Sequence, residues 1–398
     1  MAGLDVRRVT LYPLTFVEDG HEVVVGRPDT ESYAVLAPDG AAVLRLLGEG
    51  TAPTEVAAWY ARVYGEELDI AGFLAQVSEL GFVRDGSDES DGSDEPEKRA
   101  AAKALRFQRT ATVIFSRTGA LVAAVLAAGA TWSLVTRPET RPTPTHVFFT
   151  GYLVLIPLVM LAIELPLMCL HEWFHVLAGR RLGINSRVGI GRRLYFIVFQ
   201  TTLTGVYSLP RNKRYLIFVA GMIADAMVLC SLVLVGAATL DGPARLVGRI
   251  AVAAAYFTAI RFVWQFLFFI ETDMHHVLST FLRVTDLRGL TSRALRSKLR
   301  REPLDPSVTP HERAILRWFV PVTLVGAVGT LGGGLATVIP LAVGYVRRVA
   351  EGVGTGTTGT QYWDAVVSLA MILGQATVIA VLFARRRPTP RAAASSPR

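Results

Sequence analysis

Cysteine is nearly absent from this chain of 398 residues: Cys169 and Cys230 are its only two, and both fall inside apolar runs. A disulfide framework and a cysteine-rich zinc site are thereby excluded, so any metal must rely on histidine and carboxylate. Also missing is an early, short apolar core followed by a small-residue cleavage site. The chain opens instead on the charged Asp5-Val6-Arg7-Arg8, which speaks against a signal peptide and for an N-terminal part that stays in the cytoplasm. Nor does the basic excess point to nucleic acid. The net charge is +8, yet the arginines cluster beside apolar runs, where the positive-inside rule expects them.

What the chain does have is apolar sequence. At 51% hydrophobic and a mean hydropathy of +0.39, it is too apolar for an ordinary soluble enzyme and too charged for a bare helical bundle. It should divide into a soluble part and a membrane part. Residues 1–84 read as a small soluble α/β domain, with strand-like runs at Val9 to Val17 and Glu22 to Gly26 around the turn Asp19-Gly20. Three short helices follow: Ala41 to Leu47 after Pro38-Asp39-Gly40, Pro53 to Tyr64 with proline in its first turn, and a helix capped by Asp69. In the last, Ile70, Phe73, Leu74, Val77 and Leu80 recur at helical spacing before Gly81. The product is a winged-helix-like module. Residues 85–110 form a linker, first the acidic stretch 85–97, which cannot bury enough apolar surface to fold, then the basic stretch 98–109, suited to a cytoplasmic membrane face.

Residues 111–388 then contain about six runs long enough to cross a hydrocarbon core, at 119–136, 147–170, 215–240, 249–271, 318–340 and 363–384. The fold class is therefore a mainly α-helical polytopic membrane protein preceded by the small α/β domain, with a disordered tail at 389–398. Basic residues are dense at 98–109, 180–214, 283–317 and 385–387, which predicts cytoplasmic termini, although Arg347 and Arg348 fit less well. The fifth run is glycine-rich and over-long, leaving open a break near Gly332-Gly333-Gly334. Between the second and third runs, Val188 to Tyr207 alternates apolar, aromatic and threonine residues, as a membrane-associated hairpin does, with an interfacial loop as the alternative.

The second run ends in His171-Glu172-Trp173-Phe174-His175. Two histidines four apart on a helix present both imidazoles on one face, where they can share a Zn²⁺ while Glu172 stands beside the metal as a base. A hydrolytic zinc site needs a third protein ligand and an open position for water. The fourth run ends in Glu271-Thr272-Asp273-Met274-His275-His276, and under the predicted topology both runs finish at the cytoplasmic side. Four of the chain's seven histidines fall in these two clusters, which packing alone does not account for. The metal ligands expected are His171, His175 and Asp273, with His275 or His276 as the alternative third ligand and Glu172 as the catalytic base. Glu271 is expected to orient a ligand or be solvated, while Cys169, Trp173 and Phe174 are packing residues. Two charges, Asp225 and Arg261, lie deeper in apolar runs; either they pair and hold two helices in register, or Asp225 lines the active-site cavity.

These residues resemble the site-2 protease family of intramembrane zinc metalloproteases. HEWFH matches its zinc-binding motif and ETDMHHVL is similar to its later Asp-bearing segment. Ala220-Gly221-Met222-Ile223-Ala224-Asp225 resembles the Ala-Gly-Pro-x-x-Asn segment of its third core helix. The resemblance covers about residues 147–280 and implies a zinc site of His171, His175 and Asp273. Asp273 lacks the usual following glycine and the preceding asparagine-proline pattern, which marks a divergent member nearer the peptide-processing branches, and no PDZ-like insertion is apparent. The N-terminal module resembles PqqD-like domains through Ala37 to Leu47 and Leu80-Gly81-Phe82-Val83. Such domains bind leader peptides of ribosomally made, modified peptides by strand addition.

The function expected is a multi-pass membrane zinc endopeptidase. It would cleave a peptide or membrane-protein substrate at the cytoplasmic edge of the bilayer, as in the maturation of a ribosomally synthesised modified peptide, with the N-terminal domain capturing the substrate. The alternatives are a non-proteolytic membrane anchor or export factor for a leader-peptide-binding domain, and a protease that releases a regulator.

Overall fold

The computed structural model describes residues 9–19, 22–27, 30, 32–84, 107–184, 186–193, 196–203, 206–284, 286–305, 308–354 and 359–384, with side chains left aside between 185 and 205. The acidic stretch 85–97, the basic stretch up to residue 106, residues 385–387, the tail 389–398 and Gly20 of the first turn lie outside the described residues.

The N-terminal domain is a three-stranded antiparallel sheet, β1 (Thr15–Asp19), β2 (Glu22–Arg27) and β3 (Ser32–Leu36), covered by α1 (Pro38–Gly48), α2 (Pro53–Tyr64) and α3 (Ile70–Glu79). The three helices stand where the spacing predicts them. Asp69 caps α3, its carboxylate accepting the Gly72 N–H at 2.9 Å. The third strand was not expected, and β1 begins at Thr15, six residues later than the apolar run. Side chains alternate across the sheet: Phe16, Val23, Val25, Ala34 and Leu36 join Val43, Leu44, Leu47, Val56 and Phe82 in the domain's core. The opposite face carries Thr15, Val24 and Tyr33, and Val24 is nonetheless buried. That face docks on the helical domain. The Thr15 and Ser208 hydroxyls lie 2.9 Å apart, and the rings of Tyr33 and Tyr207 are in contact with centroids 5.6 Å apart. Gly26 makes this possible, since a Cβ there would meet the Tyr33 ring at 2.2 Å.

The helical domain begins with α4 (Gln108–Ile114) and α5 (Arg117–Thr136). It continues through α6 (Leu155–Arg181), the hairpin β4 (Ser186–Arg193) and β5 (Phe196–Leu203), α7 (Arg211–Thr239), α8 (Arg245–Trp264), α9 (Asp273–Leu282), α10 (Leu287–Arg300), α11 (Pro310–Gly354) and α12 (Thr360–Ala384). The antiparallel pairing of β4 with β5 favours the hairpin reading of residues 188–207 over the interfacial-loop alternative, with the strands ending at Leu203. Five helices, α5, α6, α7, α8 and α11, are long and apolar enough to cross a membrane, against about six such runs expected; the sixth run, 363–384, is helical within α12. Their outward faces are apolar, as at Leu121, Leu161 and Val328. α11 runs for 45 residues without interruption through Gly332-Gly333-Gly334, so the glycines do not break it. Arg348 lies over the Phe148 ring at 3.7 Å, and Arg347 pairs with Glu351 one turn on.

Helix α7 occupies the centre, packed against α5, α6, α8 and α9. Its apolar residues Ile217, Phe218, Ala220 and Ala224 form one cluster with Phe174 and Ala178 of α6. The α11–α12 pair closes on the other end of α6 through Ile156, Met160, Ala253, Tyr256, Val349 and Ala365. From α12, the Asp364 carboxylate reaches back to accept the N–H groups of Leu153 (2.6 Å) and Val154 (3.0 Å) at the start of α6. The helix bearing the histidines is therefore fixed at both ends.

Candidate metal centre

On α6, positions 164, 171 and 175 fall on one helical face, and on α7 so do 217, 221 and 225. The site is built where these two faces meet. Both histidines are buried, each about 6% exposed, and their Nε2 atoms lie 3.2 Å apart. His175 Nδ1 is 2.7 Å from the Ile217 carbonyl oxygen. A carbonyl can only accept, so Nδ1 carries the hydrogen and Nε2 of the neutral ring presents a lone pair. His171 Nδ1 is 2.9 Å from Asp225 Oδ2, which fixes the same tautomer in the first ring. Two lone pairs therefore face each other at a separation that is repulsive unless a cation lies between them.

Asp273 supplies the third donor. Its Oδ2 lies 3.2 Å from His171 Nε2 and 3.3 Å from His175 Nε2, and this buried atom makes no regular hydrogen bond. Three lone-pair-bearing atoms thus converge within a mutual spacing of 3.2–3.3 Å. Tetrahedral ligands at about 2.0–2.1 Å from one zinc ion would stand roughly 3.3 Å apart. The donor set fits a divalent cation in charge as well as spacing. Among the described residues, Glu164, Asp225 and Asp273 are joined to the site by hydrogen bonds or ion pairs and Arg261 offsets one of these three charges, which leaves two negative charges among the four groups. Among the described residues, His171, His175 and Asp273 form the one cluster with metal-ligand spacing.

Gly221 leaves the space between the donor atoms open. A Cβ at that position would stand 2.4 Å from Nε2 of both His171 and His175, in the space where the donor atoms converge.

Asp273 arrives differently from the expectation that it ends the fourth span. Helix α8 stops at Trp264, and Asp273 is the first residue of the separate helix α9. The intervening 265–272 segment is tied by side chains that bond to backbone: Gln265 Oε1 accepts the Asp273 N–H at 3.2 Å, and the Thr272 hydroxyl donates to the Gln265 carbonyl at 2.9 Å. A carboxylate in the first turn of a helix also lies at the positive end of its dipole.

The remaining residues singled out in the sequence separate cleanly. His275 is buried, but its Nδ1 is 2.7 Å from the Phe268 carbonyl, and the His276 ring stacks on Phe218 with centroids 5.5 Å apart. Neither joins the donor cluster. Glu271 pairs with Arg288 and is not among the clustered donors. Phe174 packs edge-on against Phe115, and Trp173 against Phe107. Glu172 is partly exposed beside His171.

Asp225 and Arg261 do pair, as one reading of these residues has it, and Asp225 also contacts His171. Asp225 Oδ1 accepts from Arg261 Nε at 3.1 Å and Nη2 at 2.9 Å, while its Oδ2 takes His171. Sequence reasoning missed Glu164, whose Oε2 accepts from Arg261 Nη1 at 2.5 Å. The available signal was an acid within an apolar run, seven residues before His171. No protein-family model, curated protein or solved structure matches this chain.

Proposed function

We propose that this protein is an intramembrane zinc endopeptidase that hydrolyses a peptide or a membrane-protein segment at the cytoplasmic face of the bilayer. The observation that carries the reading is the convergence of His171 Nε2, His175 Nε2 and Asp273 Oδ2, three acceptor atoms with no donor among them, at the spacing of tetrahedral ligands. These residues are the ones that would hold the ion. When bound, zinc supplies Lewis-acid polarisation of the scissile carbonyl and acidifies water.

The chain's own residues do the rest. Glu172, adjacent to the first ligand, takes the water proton and passes it to the leaving amine. Ile217 and Asp225 hold both imidazoles with Nδ1–H outward, so the Nε2 lone pairs stay committed to the site. The apolar outer faces of α5, α6 and α11 suit a hydrocarbon surrounding, which supports a centre that works within the membrane.

The N-terminal domain would act as the substrate-capturing part. Its strand β3 is an edge of the sheet, and an edge can accept an extended peptide as a further strand. A cavity of about 230 Å³ lies between β2–β3 and the helical domain, bordered by Tyr33, Val35, Arg211, Thr280 and Arg283. It touches α7 and α9, the helices that carry Gly221, Asp225 and Asp273. A peptide held on β3 is thereby brought against the elements of the metal centre.

The test is zinc analysis of the purified full chain together with cleavage of a peptide library. Near-stoichiometric zinc and cleavage lost in Glu172→Gln with zinc retained are expected; cleavage that survives Glu172→Gln would refute the assignment.

A further inference from the structure

We propose that Arg261 and Glu164 are positioning residues for the metal centre, acting through Asp225 to hold His171 in its metal-binding orientation. This inference rests on the reading of His171, His175 and Asp273 as metal ligands, and it extends the site by two residues that contact none of the three donor atoms.

The chain of contacts is continuous and spans three helices. Asp225 on α7 is 1% exposed, and its two oxygens are divided between two tasks: Oδ2 faces His171 Nδ1, and Oδ1 receives both Nε and Nη2 of Arg261 on α8. A carboxylate held by a single contact can rotate about its χ2 axis. Clamped on one oxygen by two nitrogens of a planar guanidinium, it cannot swing Oδ2 away from the imidazole without breaking both bonds. Lysine, whose three donors share one freely rotating nitrogen, lacks that two-point hold. Arg261 thus restricts Asp225, and Asp225 restricts the ring of His171.

Glu164 on α6 completes the arrangement. Its Oε2 takes the remaining Arg261 nitrogen, Nη1, at 2.5 Å, while its Oε1 is buried with no hydrogen-bond partner. An acid in an apolar helix with half its carboxylate unsatisfied is costly, and among the described residues its hydrogen-bonded, ion-paired contact is Arg261. Two consequences follow from its charge and place. The guanidinium is gripped from opposite sides by α6 and α7, which fixes its plane, and its positive charge is balanced so that it does not oppose a divalent cation at His171.

The experiment uses the full chain in detergent or nanodiscs, with zinc affinity measured by chelator competition and metal-free thermal unfolding run in parallel. The variants are Arg261→Met, Arg261→Lys, Glu164→Gln and the double variant Arg261→Met with Glu164→Gln. Loss of an outer partner of a metal ligand costs about 10–100-fold in affinity, and Arg261→Met should fall in that range. Arg261→Lys should recover only part of it. Glu164→Gln should weaken zinc binding in the otherwise native chain and change nothing once Arg261 is absent, since its effect passes through that side chain. Should Arg261→Met fail to fold, Arg261→Lys and Glu164→Gln decide the question. Native zinc affinity in folded Arg261 variants, or an undiminished Glu164→Gln effect in the Arg261→Met background, would overturn the proposal. Absence of zinc from the native protein would instead refute the metal reading on which it rests.

Discussion

Gly221 stands against His171 so closely that a single added methyl group would fill the space between the donor atoms: its Cβ would lie 2.4 Å from His171 Nε2 and equally near His175 Nε2. The glycine sits inside helix α7, where alanine is the better helix former by roughly 0.8–1.0 kcal/mol. The two effects therefore oppose each other in a measurable way. Gly221→Ala should lose zinc and peptide cleavage, and because the Cβ also overlaps the buried His171 ring, 2.5 Å from Cε1, the metal-free protein should unfold at a lower temperature despite the gain in helix propensity. Zinc retained at native stoichiometry in Gly221→Ala would show that the donor atoms do not converge on an ion at this place.

The third ligand is open to an equally direct test. Asp273 Oδ2 faces both imidazoles, whereas His275 is engaged with the Phe268 carbonyl. Asp273→Ala removes a donor itself and should weaken zinc more than the roughly 10–100-fold expected for an outer partner. His275→Gln should lower thermal stability, because a buried hydrogen bond is disturbed, and keep the zinc content of the native chain. Metal analysis of the two purified variants distinguishes them; the opposite pattern would make His275 the ligand.

Much of this site was legible in the sequence, for reasons particular to each residue. His171, Glu172 and His175 announce themselves because helical spacing alone puts the two imidazoles side by side. Asp273 was legible by its position after an apolar run, but not the helix that holds it. The aromatic residues Phe266, Phe268 and Phe269 prolong the apolar run past the point where the backbone leaves the helix at Gln265. What redirects the chain there is side-chain capping of backbone groups, which hydropathy does not register. Glu164 was passed over because one acid barely alters the hydropathy of the run around it, and its partner Arg261 is 97 residues away. Strand β3 was missed for another reason. It is five residues long, and only its pairing with β2 identifies it.

The N-terminal domain carries a pH dependence of its own. The Tyr60 hydroxyl donates to Asp39 Oδ2 at 2.6 Å, joining α2 to α1. This bond holds the Asp39 carboxyl below its ordinary value and pushes Tyr60 up to about 12. For Asp39, whose folded value is depressed, the contribution to stability is full above the unfolded value near 3.8 and is lost as pH falls through the folded value. For Tyr60, whose folded value is raised, the contribution is full below the unfolded value of 10.0 and is lost as pH climbs toward about 12. Tyr60→Phe should remove both limbs and leave the difference from the native chain flat between pH 5 and 9. Unfolding midpoints across pH, with tyrosinate absorbance for the alkaline limb, measure it; a native chain whose Tyr60 ionises near 10 would contradict the bond.

Asp364 tests whether the C-terminal helices serve the metal centre or only the fold. Its carboxylate accepts the Leu153 and Val154 N–H groups at the start of α6, where a helix has no backbone partners for its first donors. Losing such a cap costs about 0.5–2 kcal/mol. The cap is 17 residues before His171 along the same helix, a distance of about 25 Å at 1.5 Å per residue, too far for its charge to act on the ion directly. Asp364→Ala should thus lower the unfolding temperature without changing zinc affinity, and Asp364→Asn, which keeps one acceptor oxygen, should fall between. If zinc affinity dropped together with stability, the start of α6 and the ligand pair would have to move as one rigid unit, and the α11–α12 pair would belong to the metal centre's supporting structure. Equal affinity in all three proteins would confine that support to α7, whose Ile217 and Asp225 meet the two imidazoles, and to α8, whose Arg261 holds Asp225.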